Sequence, residues 1–143
     1  MKKKFPLTVV SIAVVLMLIF SASCRKKTKL TTPVIPDIIE EFMAFNIDPD
    51  PGIAVASSLG GTYPFKVEIT SRMPVKGVKL EMTTKKDSDN SMLDSKTLES
   101  STNKIDLTTS TLLPGVVYNV TIVITSKGKA ANTKSRTFKV ARK

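Results

Sequence analysis

Five stretches of this chain alternate apolar and polar residues one by one. Phe65, Val67 and Ile69 alternate with Lys66, Glu68 and Thr70. Val78, Leu80 and Met82 alternate with Lys79, Glu81 and Thr83. Ile105 and Leu107 sit between Lys104, Asp106 and Thr108, and Tyr118, Val120, Ile122 and Ile124 between Asn119, Thr121, Val123 and Thr125. Phe138 and Val140 follow the same rule with Thr137, Lys139 and Ala141. A period of two puts every second side chain on one face of a strand, so each stretch reads as a strand with one face buried. Turn signals separate them: Gly60-Gly61, Pro74 with Gly77, residues 87–91, Pro114-Gly115 and Lys127-Gly128. Short alternating strands at this spacing predict an all-β sandwich of about seven strands.

Residues 37–143 are enough for one domain of roughly 100 residues. Its core is built with few large side chains. There is no Trp, and the aromatics past residue 24 are Phe42, Phe45, Tyr63, Phe65, Tyr118 and Phe138. Val, Ile, Leu and Met must fill the rest. The start of the domain has two readings. Asp37 with Glu40 three residues on fits a helix start, whereas Met43, Phe45 and Ile47 alternate as a strand would. The alternation places a first strand near residues 39–47, ended by Pro49 and Pro51.

Residues 107–122 carry the most specific fold signal. Leu113-Pro114-Gly115 is followed by Tyr118 and then by apolar residues at alternate positions. This resembles the corner between the fifth and sixth strands of fibronectin type III-like, and more broadly immunoglobulin-like, domains. The resemblance implies that the Tyr118 hydroxyl bonds back to the corner backbone and pins one end of the sandwich. The early-strand Trp common in such domains is absent here.

The N-terminal part reads differently. Lys2, Lys3 and Lys4 open the chain, residues 5–20 are apolar except for Pro6, Thr8 and Ser11, and Ser21, Ala22 and Ser23 lead to Cys24. A positive start, an apolar run, taken as the signal-peptide helix, and small residues are the three parts of a secretory signal. Small residues before a Cys resemble the lipobox of bacterial lipoproteins, with Ser21 standing where a Leu-like residue is usual, a relaxation familiar in Bacteroidetes-type lipoproteins. The resemblance implies cleavage between Ser23 and Cys24, lipid on Cys24, and a membrane as partner through that lipid. The run is also long enough to stay as an uncleaved anchor. The layout expected is therefore a signal peptide over residues 1–23, a lipidated Cys24 and tether over 24–36, and the sandwich over 37–143. The tether carries Arg25, Lys26, Lys27 and Lys29, then Pro33 and Pro36. In Bacteroidetes-type lipoproteins surface export goes with an acidic stretch just after the Cys, so through that resemblance the basic Arg25-Lys26-Lys27 implies an outer-membrane anchor facing the periplasm.

Composition closes off several chemistries. The chain has no His, and Cys24 is its single Cys. Zinc sites of the Cys/His kind, an intrachain disulfide, and nucleophiles relying on His all lack a necessary residue. No catalytic, cofactor or metal residue is assigned. The formal charge is +10, and loss of Lys2, Lys3 and Lys4 leaves 19 basic against 12 acidic residues. Outside the tether the basic residues are scattered, and this does not point to nucleic acid. Asp87, Asp89, Asn90 and Asp94 make an oxygen-rich loop. Counted from Asp87, its sixth position is Met92 rather than Gly and its twelfth is Leu98 rather than Glu, which is not a calcium loop. The functional expectation is a non-enzymatic interaction or structural module on the cell envelope, meeting an unidentified protein or envelope component. The alternative is an accessory protein binding a glycan or another ligand.

Overall fold

The computed structural model describes residues 39–143. The signal peptide, the cleavage site between Ser23 and Cys24, the lipidated Cys24 and the tether lie outside the described residues. Eight strands form two sheets: β1 (Phe45–Asp48), β2 (Val55–Ser58), β3 (Pro64–Ile69), β4 (Val78–Lys86), β5 (Met92–Ser100), β6 (Lys104–Thr108), β7 (Val117–Ser126) and β8 (Thr133–Arg142). One sheet has the order β1-β3-β6 and the other β2-β8-β7-β4-β5. Every pairing is antiparallel except that of β2 with β8. This is an immunoglobulin-like β-sandwich.

The five alternating stretches all lie in strands, and their apolar sets turn inward. Phe65, Val67, Ile69, Ile105 and Leu107 come from the smaller sheet, and Val78, Leu80, Met82, Val120, Ile122, Ile124 and Val140 from the larger. Cross-strand register aligns them: Leu80 is opposite Ile124, Met82 opposite Ile122, and Val120 opposite Phe138. Since the side-chain period is two, a slip of one residue would turn each of these sets to solvent. The few aromatics are concentrated. Tyr63, Phe65 and Phe138 form one cluster with ring centres 5.4–6.0 Å apart, the Phe65–Phe138 pair edge-on. Tilted and edge-on contacts suit the charge distribution of the rings.

One sequence expectation is corrected. The first strand covers Phe45–Asp48, not residues 39–47. Met43 is buried, but Ile39 and Phe42 stand in solvent. Two strands had no alternation to reveal them; with the five alternating strands and the first they make eight, in keeping with the expected sandwich of about seven. β2 is a four-residue edge strand whose ladder is shared with β8 alone. β5 is the opposite edge of the same sheet, mostly exposed or half-buried on both faces, so its Asp, Ser, Lys and Thr need no pattern.

Candidate interaction surfaces

The corner residues come together at one end of the sandwich. Tyr118 is fully buried at the start of β7, and the Leu113 backbone N–H donates to its hydroxyl at 3.3 Å. Gly115 has φ +71°, in the left-handed region that a side chain disfavours, and its N–H donates to the Arg142 carbonyl at 3.3 Å. Pro114 bridges to Arg142 as well, so the last residues of β8 close over the corner. Leu113 itself is half out in solvent. Its neighbour Leu112 is fully buried and donates its N–H to the Gly61 carbonyl at 2.6 Å. The corner is thus a packing device, with polar groups used up internally.

The oxygen-rich loop does not converge on a single point. Asp87 accepts from the Asn119 amide and from Lys139, each at 2.8 Å, which hold its carboxyl below the ordinary value. The Asp89 carboxylate accepts from Ser91 within its own turn at 2.9 Å. Asp94 belongs to β5 and faces the other way, taking the Ser110 hydroxyl at 2.6 Å. Among the described residues no group of three or more His, Cys, Asp or Glu is placed to hold a metal ion. Asn119-Val120-Thr121, which has the form of an N-glycosylation acceptor, lies within β7, its Asn amide engaged by Asp87.

Asp94 and its neighbour Lys96 tie β5 to the other sheet. Lys96 reaches the Thr108 carbonyl at 2.5 Å, and Ser110 follows just beyond β6. Burial raises the Asp94 carboxyl, but the Ser110 hydroxyl and the Lys96 ammonium outweigh that and hold it below its ordinary value.

At the opposite end the chain enters the domain, and this end was not foreseen from sequence. The buried Asn132, in the turn between β7 and β8, accepts from the Met43 N–H at 2.8 Å and donates to the Glu41 carbonyl at 2.8 Å. The Arg72 N–H donates to the Glu41 carboxylate at 2.7 Å, and the Ala44 N–H to the Ser71 hydroxyl at 3.2 Å. The entering segment is therefore fastened on two sides. Between it and the loop from β3 to β4 lies a cleft of about 60 Å³, lined by Ile39, Glu41, Arg72, Met73 and Val75 among others. It is too small for a substrate-sized molecule, which needs several hundred Å³. No sequence signal could have found Asn132, because a single buried Asn in a turn looks like any turn residue.

The fold and these surfaces define a class: an immunoglobulin-like sandwich whose conspicuous polar groups serve its own architecture. No family model and no curated protein matches the chain. Among solved structures it is similar to the CARDB domain of the PF1109 protein in complex with di-metal ions from Pyrococcus furiosus, at 16% identity. That likeness covers 73% of this chain and 91% of the other, with a TM-score of 0.39.

Proposed function

We propose that this chain is a bacterial lipoprotein, held through lipid on Cys24, whose sandwich serves as a non-catalytic interaction or structural module at the cell envelope. One observation carries the reading. The single Cys of the chain closes an apolar run of signal-peptide form, directly after Ser21, Ala22 and Ser23. As the single Cys of the chain it has no intrachain disulfide partner, whereas acylation gives it a use. One acyl chain holds a protein only weakly, so a stable anchor takes several chains or a chain with a basic segment. Arg25, Lys26, Lys27 and Lys29 supply the basic segment. The basic stretch after Cys24 further favours the periplasmic side of the outer membrane. The module reading is supported by the polar groups of the described residues, most of which bond to one another; even in the open hollow of about 310 Å³ lined by Asp87, Ser88 and Gly115, the Asp87 carboxylate is taken by Lys139 and Asn119.

Metabolic labelling with a radioactive fatty acid tests the anchor. Label should enter the wild-type chain and be lost from Cys24→Ser, which should accumulate as a precursor still carrying residues 1–23. Equal labelling of both would overturn the reading.

A further inference from the structure

We propose that the end of the sandwich where the chain enters rests on an anionic bilayer surface; this rests on the lipid-anchor reading above. Three large apolar side chains stand in solvent there: Ile39 at 93% exposure, Phe42 at 90% and Val75 at 86%. Single exposed apolar residues are ordinary on protein surfaces. These three belong to two segments that the structure ties together, the entry strap and the loop from β3 to β4, and Ile39 and Val75 line the same cleft. Basic groups surround them. Arg72 and Lys76 flank Val75 in the same loop, and Lys129 lies in the adjoining turn. None of the three has a carboxylate in ion-pair range among the described residues. Acids share this end: Glu40 and Glu41 accept only from neutral donors, the Asn132 amide and the Arg72 backbone N–H, and keep their charge, while Glu99 is paired with Lys127. Arg72, Lys76 and Lys129 outnumber Glu40 and Glu41 by one, so the end is apolar with a small positive excess, the pair of properties that an interfacial lipid contact uses.

Distance selects the bilayer as the occupant. Residues 25–38 are all that separates Cys24 from this end along the chain. The far end also exposes Leu59 and Leu113. It lies a further strand length away, about 33 Å for ten residues. Anchoring makes the contact intramolecular, so a weak patch suffices at the high effective concentration that a short link provides. The same contact would orient the sandwich, pointing the corner at Tyr118 and the far loops away from the membrane.

The test uses the full chain, lipidated and reconstituted into vesicles of phosphatidylglycerol and phosphatidylethanolamine. Acylation of Cys24 leaves no other thiol, so Val75→Cys and Leu113→Cys each give one site for a nitroxide label. The label at position 75 should be shielded from a water-soluble relaxation agent about threefold or more relative to that at position 113. Combining Arg72→Glu, Lys76→Glu and Lys129→Glu with Val75→Cys should restore its accessibility. Equal accessibility at 75 and 113 in a chain whose mass shows acylated Cys24 would overturn this proposal while leaving the anchor standing. An unmodified Cys24 in the same preparation would instead remove the anchor, and this proposal with it.

Discussion

Tyr118 joins two roles that substitutions can separate. Its ring is fully buried in the core, and its hydroxyl takes the Leu113 N–H. Tyr118→Phe keeps the ring and removes only the hydroxyl acceptor. Because Leu113 is half exposed, water can partly replace that acceptor, and the expected cost is about 1 kcal/mol. Tyr118→Ala also opens a cavity and should cost about 3–5 kcal/mol, a large part of the stability of a domain this small. Tyr63 is slightly more exposed than Tyr118, so Tyr63→Ala should cost less. Urea midpoints of the three variants check the order; a Tyr118→Ala midpoint equal to wild type would contradict the corner. Asp94 gives a pH signature. Its folded-state value lies below the ordinary 3.8, so its bonds to Ser110 and Lys96 stabilise above that value and fade as pH falls through the folded value. Asp94→Asn should therefore be less stable than wild type near pH 6, by at most about 1 kcal/mol, and the gap should close in acid. A gap that stays constant from pH 6 to pH 2 would show that the carboxylate contributes nothing through its charge.

At the scale of elements, sequence legibility followed burial. Strands with one face against the core show alternation because the core selects every second side chain. β3, β4, β6, β7 and β8 could therefore be read directly, as could the turns between them. β2 and β5 could not, since neither lays an alternating apolar face on the core, whereas β6, also an edge strand, buries Ile105 and Leu107. The first strand was displaced for a related reason. Ile39, though apolar, is not recruited to the core, and the segment before Phe45 is fixed by Asn132, Ser71 and Glu41 rather than by a ladder. Asn132→Ala should unfasten that strap and cost about 1–3 kcal/mol, because the Met43 N–H is left buried without an acceptor. Exchange of the Met43 amide with deuterium should quicken in the same variant. The turn into β4 has a stricter requirement. Gly77 has φ +77°, and a Cβ there would meet the Ser100 carbonyl oxygen at 2.6 Å. Gly77→Ala should thus destabilise by about 1–3 kcal/mol, whereas Gly60→Ala, with nothing within 4 Å of the added carbon, should be close to neutral. Equal thermal midpoints for the two variants would contradict the account of this turn.

At the scale of the whole molecule, the candidate surfaces were less legible than the fold. The corner could be found because four residues at fixed spacing carry it. The entry end could not, because Phe42 and Val75 read as ordinary core material until the topology leaves them outside. The membrane reading likewise depends on residues of two kinds: Cys24 and the apolar run, legible at once, and Ile39, Val75 and Arg72, brought to one end only by folding. The measurement that bears most directly on the account is the intact mass of the chain extracted from membranes. The expected result is a species beginning at Cys24, lacking residues 1–23 and carrying added acyl mass. A species that retains residue 1, or one whose Cys24 is unmodified, would contradict the lipoprotein reading.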